Sequence, residues 1–208
     1  MTDADKVRGL QEEISACRVC VDNPLKSPLP HEPRPVAWLS TTAKLCIAGQ
    51  APGLRVHKSG IPFDDRSGDR LRDWMGVDRE TFYDTSRIAI APMGFCFPGY
   101  DKNGSDLPPR RECAPLWREK IFAAMPQIEL ILVIGQYAQA WHLGDLRERT
   151  VAATVQNWER AFRRNETPAL LPLPHPSWRN TAWLKRNPWF EVEVLPVLRQ
   201  AVQSLVLE

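Results

Sequence analysis

The chain has 208 residues, a formal net charge of +2 and 43% hydrophobic residues, which fits a single globular domain with an ordinary apolar core. So small a net charge excludes a globally basic nucleic-acid binder, and 19 Pro with 11 Gly are too few for a low-complexity chain. An odd number of cysteines (five), behind a polar N-terminus without a signal-peptide pattern, argues against a secreted disulfide scaffold. We therefore expect a protein of a reducing cytoplasm.

The first predicted element is a helix over residues 4–20, followed by a proline-rich surface segment over residues 21–43. Four short apolar runs come next, and each ends in a turn containing Gly or Pro, which is typical of buried strands. These runs cover residues 44–48, 87–91, 129–134 and 169–173. Helical patterns lie between and after them, over residues 67–75, 109–125, 136–143 and 188–207.

Alternating strands and helices predict an α/β fold: a three-layer α/β/α sandwich with a central four-stranded parallel sheet. No internal repeat or domain boundary is visible, so we expect residues 1–208 to form one domain. The longest apolar runs have about five residues, whereas a membrane span needs about 20, so we expect no membrane partner. Ligands of such sheets bind beyond the carboxyl ends of the strands, which directs attention to the turns after the first and last strands.

Four of the five cysteines lie in sequence that suits a metal site. Cys17 and Cys20 have the CxxC spacing of metal ligands, and Cys96 and Cys113 lie in turn-rich sequence further on. Both zinc and an iron–sulfur cluster use four thiolates, and the spacing does not separate them. Cys46 lies inside an apolar strand and is expected to be a small buried side chain of the core.

Two turns carry the densest polar chemistry. Gly49-Gln50-Ala51-Pro52-Gly53 follows the first strand and is suited to present backbone N–H groups to a ligand, although an ordinary turn would have the same composition. In the polar stretch of residues 57–69, Ser67 is a candidate helix cap, and one of the acids there is a candidate to face the cleft. His175-Pro176-Ser177-Trp178-Arg179-Asn180 follows the last strand; its basic and aromatic residues suit nucleic acid, or the tryptophans belong to the core.

Together these features resemble the uracil-DNA glycosylase superfamily over residues 10–205. The four cysteines resemble the cluster ligands of its iron–sulfur members, families four and five. The turn at Gly49 with Ser59-Gly60-Ile61-Pro62-Phe63 resembles the first active-site motif, and the turn at His175 resembles the second.

The resemblance implies a monomer that holds a four-iron–four-sulfur cluster and excises uracil from DNA by cleaving the N-glycosidic bond. It implies that His175 stabilises the charge developing on uracil, with help from backbone groups of Gly49, Gln50 and Ala51. Phe63 would be the aromatic platform under the base. Ser177 would touch phosphate, and Arg179 and Asn180 would enter the duplex.

The first motif departs from the best-known members, because Ala51 stands in the place of their water-positioning Asp and Gln50 in the place of the Glu of family four. Family five has its acid further on, and Asp65 matches that arrangement. We therefore expect Asp65 to be the catalytic carboxylate, with Asp64 as the second candidate. The Asn that often reads uracil has no clear match, and Asn103 is the candidate substitute. A substrate range that includes other deaminated bases therefore stays open.

Two other hypotheses remain open from the sequence. One is a structural zinc protein with a glycosylase-like fold and no activity. The other is a metal-containing nucleic-acid binding module that holds damaged DNA without excising a base.

Overall fold

The structure, a computed structural model, describes residues 2–164 and 166–208. Its centre is one sheet of four parallel strands in the order β2-β1-β3-β4. The strands are β1 (Leu45–Ala48), β2 (Ile88–Ile90), β3 (Leu130–Ile134) and β4 (Ala169–Leu173). Every strand predicted from an apolar run is present, within one residue or so of the predicted bounds.

Eleven α-helices are found in the described residues. They are α1 (Asp3–Ser15), α2 (Val19–Asp22), α3 (Leu54–Ser59), α4 (Arg66–Met75), α5 (Arg79–Tyr83), α6 (Cys113–Ala124), α7 (Gly135–His142), α8 (Val151–Gln156), α9 (Glu159–Phe162), α10 (Thr181–Arg186) and α11 (Leu195–Val202). Short 3₁₀ turns cover Gly144–Leu146 and Trp178–Asn180, and π-helical turns cover Phe190–Val194 and Gln203–Leu207. No helix of the described residues is both long and apolar enough to cross a membrane.

Alternation along the strands divides the core into two layers, one on each face of the sheet. Cys46 and Ala48 of β1 face a cluster built from α1, α6 and α7. Leu45 and Ile47 of the same strand face a second cluster built mainly from α4, α8 and α11. Because successive side chains of a strand point to opposite faces, buried helices on both sides complete the predicted α/β/α sandwich.

Three predicted helices differ from the observed ones, and one of them, predicted over residues 109–125, begins only at Cys113. The first helix ends at Ser15, and the chain turns before α2 begins at Val19, so Cys17 lies between two helices. The last helix is not one continuous α-helix, because a π-helical turn occupies Phe190–Val194 just ahead of α11. Pro196 lacks the N–H that an α-helical ladder requires, which accounts for a change of hydrogen bonding at this place.

Candidate active site

The loops that follow β1 and β4 form a cleft of about 400 Å³ at the carboxyl edge of the sheet. Its lining combines groups from both predicted motifs with the start of α4. The lining residues from the sequence prediction are Gly49, Gln50, Ala51, Phe63, Asp65, His175, Ser177 and Arg179. The cleft therefore brings together side chains that are separated by more than 100 residues along the chain.

Backbone hydrogen bonds hold the loop after β1 in place. The amide of Met93 donates to the carbonyl of Gly49 at 2.9 Å, and the amide of Gly94 donates to that of Gln50 at 2.8 Å. Both donors lie in the turn after β2, so two neighbouring turns of the sheet edge form one wall. Gln50 and Ala51 keep their positions in the cleft because their backbone is fixed on this side.

Phe63 packs against the start of this loop in an unusual backbone conformation. Its φ is 54°, which is sterically costly for a residue with a large side chain. A Cβ atom placed on Gly49 would lie 3.3 Å from the tip of the Phe63 ring, so the ring lies directly against the glycine. Strain of this kind is retained where the surrounding structure enforces it, commonly at ligand sites.

The turn that carries Phe63 depends on Gly68 in α4. A Cβ on Gly68 would lie 1.8 Å from the carbonyl oxygen of Phe63, so only glycine permits this approach. The close contact places the ring of Phe63 and the N-terminus of α4 side by side. Phe63 also meets Phe82 edge-on, with ring centroids 6.0 Å apart.

Asp65 is the N-cap of α4, and its Oδ1 accepts a hydrogen bond of 3.0 Å from the amide of Gly68. The sequence offers Ser67 as a candidate cap; the observed N-cap lies two residues earlier, and the helix begins at Arg66. Asp65 also lines the cleft, so the same residue caps the helix and faces the site.

Asp64 has a different environment. Its Oδ1 lies 3.0 Å from a guanidinium nitrogen of Arg79, and it is not part of the cleft lining. The hydrogen bond from Arg79 lowers the pKa of the Asp64 carboxyl. Of the two adjacent acids, the structure therefore places Asp65 in the cleft and pairs Asp64 with an arginine.

His175 follows β4 and faces the cleft from the opposite side. The amide of Ser177 donates to Nδ1 of His175 at 3.2 Å, so the proton of a neutral imidazole lies on Nε2. Burial lowers the pKa of His175, and the charge of nearby Asp65 partly opposes this effect. The site thus holds a neutral imidazole whose Nε2–H is available as a donor.

Arg70 of α4 fastens the His175 loop to the helix that Asp65 caps. Its guanidinium donates to the carbonyl of Ser177 at 2.9 Å and to Oγ1 of Thr181 at 3.0 Å. Asn180 donates through Nδ2 to the carbonyl of His175 at 2.7 Å. Asn180 lies in an adjoining pocket and not in the cleft itself, and its amide holds the loop.

Asn103 does not reach the cleft. It lies in an exposed turn that the carboxylate of Asp101 closes, and it lines neither the cleft nor the adjoining pocket. Asp106, three residues further on, lines both. Partial desolvation raises the pKa of the Asp106 carboxyl, while the charge of Arg179 opposes the rise and that of Asp65 adds to it.

Sequence reasoning did not assign Asp106 to the site, and it left Trp178 open between a nucleic-acid contact and the core. Trp178 is 67% exposed, lines the cleft, and has the Arg179 guanidinium 5.9 Å from its ring centroid. Trp183 and Trp189 instead pack against the core layer near Phe190. Composition does not show which of the three tryptophans is exposed. Asp106, however, lies between Cys96 and Cys113 as Asn103 does, and the sequence offered it as an equal candidate.

The four predicted metal ligands meet away from the cleft. Cys17, Cys20, Cys96 and Cys113 line one small cavity of about 20 Å³, and Cys46 is separate and fully buried in the core. All five are free thiols, and burial raises the pKa of Cys20, Cys96 and Cys113. Across residues 2–164 and 166–208, no group of three or more His, Cys, Asp or Glu is arranged to hold a metal ion. Four thiols on one cavity are the donor set that both zinc and an iron–sulfur cluster use.

Comparison with known proteins gives two results. A solved structure from Methanosarcina acetivorans, provisionally named a uracil DNA glycosylase, is similar with 15% identity and a TM-score of 0.46. The similarity covers 79% of this chain and 94% of that one. Residues 37–199 match the profile of the Uracil DNA glycosylase superfamily, a span that includes both turns of the cleft, Cys96 and Cys113, but neither Cys17 nor Cys20. The chain belongs to the uracil DNA glycosylase superfamily.

Proposed function

We propose that the protein is a DNA repair glycosylase that flips uracil out of DNA and hydrolyses its N-glycosidic bond, leaving an abasic site. The observation that carries this proposal is the meeting of Asp65, His175 and Phe63 in one cleft. A carboxylate, a neutral imidazole donor and an aromatic ring are the groups that this reaction needs. An enzyme cannot reach the target atoms of a base that is stacked inside a duplex, so the nucleotide must be flipped into a pocket of this kind.

His175 stabilises the uracil base as it leaves. When the bond between C1′ of the sugar and N1 of uracil breaks, its electron pair stays with the base, and negative charge appears on the uracil oxygens. The Nε2–H of His175 donates to uracil O2 and stabilises that charge. A preorganised donor in such a site typically contributes a factor of about 10²–10³ in rate.

Asp65 acts on the sugar side of the same bond. Its negative charge stabilises the cation that develops on the sugar, and its free oxygen accepts a proton from the attacking water. The water oxygen forms the new bond to C1′, the departed base takes a proton from solvent, and Asp65 returns its proton to solvent. Atoms and charge then balance to an abasic sugar and neutral uracil.

The remaining residues hold the substrate. Phe63 stacks under the base, and backbone N–H groups at Gln50 and Ala51 support the uracil oxygens, with Gly49 allowing close approach. Ser177 contacts phosphate, and Arg179 with Trp178 reaches toward the strand around the flipped nucleotide. Asn180 does not contact the substrate in this scheme, because its amide donates to the carbonyl of His175 and holds the loop in place.

We infer that Cys17, Cys20, Cys96 and Cys113 hold a four-iron–four-sulfur cluster. When bound, the cluster supplies a covalent cross-link between the segment after α1 and the start of α6. It has no step in the hydrolysis, because the cavity of the four cysteines and the cleft share no lining residue. The lack of a disulfide among the five cysteines also suits the reducing cytoplasm in which we place the protein.

The proposal is tested with Asp65→Asn and the matched variant Asp64→Asn. Asparagine caps helices as well as aspartate does, so Asp65→Asn keeps the hydrogen bond to Gly68 and removes only the charge. We expect it to lower the rate of uracil excision by at least about 10²-fold while binding to uracil-containing DNA persists. Asp64→Asn should stay within severalfold of the wild type. Excision is measured by alkali cleavage of an oligonucleotide at the uracil.

Near-normal turnover of Asp65→Asn would remove Asp65 from the mechanism. If the wild type cleaves no uracil substrate, single- or double-stranded, but binds it, the protein is a binding module and not an enzyme.

A further inference from the structure

A second groove, larger than the cleft, lies on the same edge of the molecule. It has a volume of about 800 Å³, and we call it the side groove. It is formed mainly by residues 25–27, the loop over residues 107–112 with the start of α6, and α7. The lining residues used below are Leu25, Lys26, Leu107, Arg111, Tyr137 and Trp141.

The side groove and the cleft both adjoin a third pocket. This connecting pocket of about 320 Å³ shares Leu107 and Tyr137 with the side groove. The same pocket shares Asp106, His175 and Arg179 with the cleft. The three cavities therefore lie side by side, in the order cleft, connecting pocket and side groove.

Exposed apolar side chains are concentrated along these three cavities. The described residues contain seven large hydrophobic side chains that are exposed. Three of them, Leu25, Leu107 and Trp141, line the side groove, and a fourth, Trp178, lines the cleft. Trp141 is 46% exposed and Leu25 69%. Apolar groups that cluster at one groove usually mark a binding surface, whereas isolated ones do not.

The solvent-exposed charged side chains of the side groove are positive. Lys26 and Arg111 are exposed and form no ion pair with any described residue. The carboxylate of Glu112 is only 9% exposed and pairs with Arg110 at 2.7 Å, and Arg110 also donates to the carbonyl of Ser27. The accessible charges thus suit phosphate groups.

We propose that the side groove binds unpaired nucleotides adjoining the flipped base on one side, so that the substrate there is single-stranded. This proposal rests on the proposed function, because it takes the cleft to hold a nucleotide of the same strand. Bases stack on Trp141 and Tyr137 and lie against Leu25 and Leu107. Aromatic platforms combined with cations along the backbone are the usual means of binding single strands.

Binding is measured by fluorescence anisotropy with a labelled dT oligonucleotide that contains no uracil. Trp141→Ala should weaken binding about tenfold, because loss of one stacking platform typically has an effect of that order. Trp141→Phe keeps an aromatic face and should stay close to the wild type. Val192→Ala, a change at another exposed apolar residue (71%) outside the cleft and groove, serves as the matched control.

Lys26→Ser with Arg111→Ser tests the phosphate contacts. The slope of log affinity against log salt concentration should fall by about 1.4, since each contact with a single strand contributes about 0.7. Equal affinity of Trp141→Ala and wild type for the dT oligonucleotide would overturn the proposal and leave a protein partner as the occupant. A loss confined to duplex DNA would overturn the single-strand assignment.

Excision assays separate this proposal from the proposed function. On a trinucleotide with a central uracil, too short to fill the side groove, Trp141→Ala and wild type should act alike. On a longer single strand the variant should show a raised KM with kcat unchanged. If the wild type excises nothing but Trp141→Ala still loses affinity for dT, the proposed function fails and the side groove stands. If the wild type excises uracil normally and Trp141→Ala matches it on both short and long strands, the proposed function stands and only the side-groove proposal is wrong.

Discussion

Gly68 is the position in the site where an added side chain would clash most severely. Its Cα hydrogen faces the carbonyl of Phe63, and no side chain fits between them. Gly68→Ala should therefore lower the free energy of unfolding by about 2 kcal/mol or more, since the backbone of the strained turn must move. Denaturant unfolding measures this, and uracil excision should fall with it because Phe63 and Asp65 flank the turn.

Gly9→Ala is the control for that substitution. Gly9 lies inside α1, and a Cβ there meets nothing within 4 Å. Alanine should then stabilise the helix by roughly 0.5–1 kcal/mol. Unchanged stability of Gly68→Ala would show that the turn relaxes freely and that its geometry is not fixed by the glycine.

Single residues were predictable to different degrees. His175 and Asp65 could be placed because each follows or precedes an element whose position the apolar pattern defines. Asn103 could not, because it lies in a long loop with no periodicity, and the structure brings Asp106 to the cleft instead. Exposure of a side chain in such a loop depends on tertiary packing, which composition does not encode.

At the scale of elements, Arg118 of α6 and His142 of α7 join two helices to the end of β2. Arg118 is 1% exposed and donates to the carbonyls of Ala91 and Pro92, and its guanidinium also meets Nε2 of His142. Burial lowers the pKa of Arg118 to about 10. Burial and the neighbouring cation lower the pKa of His142 to about 3.

This arrangement predicts a loss of stability in mild acid. The unfolded chain binds a proton on His142 near its ordinary value of 6.5, while the folded protein does so only near 3. Stability from this group is therefore complete above pH 6.5 and is lost as pH falls toward 3. Between pH 6.5 and 5 the loss should be on the order of 2 kcal/mol.

His142→Gln is the matched variant, because an amide oxygen still accepts from Arg118 but does not titrate. Unfolding free energies at pH 6.5 and pH 5 should differ less in the variant than in the wild type. His57 and His175, whose pKa values are also lowered, contribute equally to both proteins. Parallel pH dependence in wild type and variant would contradict the role of His142.

Strands and long helices were the elements best predicted. Each strand is a short, continuous apolar run, since both faces of a parallel sheet are covered. Helices α3, α5, α8, α9 and α10 were not predicted, because they have only four to six residues each, too few for a helical period to show. A π-helical turn cannot be distinguished from α-helix by its pattern of apolar residues.

At the scale of the whole molecule, the four cysteines connect parts that are distant in sequence. The purified protein should contain iron and sulfide, and Cys17→Ser with Cys20→Ser should abolish both and lower the Tm. Cys46→Ala, in the core, should leave the iron content unchanged. Elemental analysis and thermal unfolding check this prediction. Zinc in place of iron, or a Tm indifferent to the loss of Cys17 and Cys20, would contradict it.

The three layers were predictable from the alternation of strands and helices. The side groove was not, because it arises where residues 25–27, the loop over residues 107–112 and α7 come together, and no one of these segments carries a motif. A groove between segments is a property of packing and becomes visible only in three dimensions.

Arg70 joins the loop of His175 to the helix capped by Asp65. These hydrogen bonds connect the loop of the imidazole directly to the helix of the acid, so we expect their separation to change little when substrate binds. Alignment of the reacting groups would then need no closing motion of these two loops. The main free-energy cost of reaching the reactive arrangement is then the unstacking of the nucleotide. We therefore expect the enzyme to favour positions in DNA where a nucleotide leaves its stack easily.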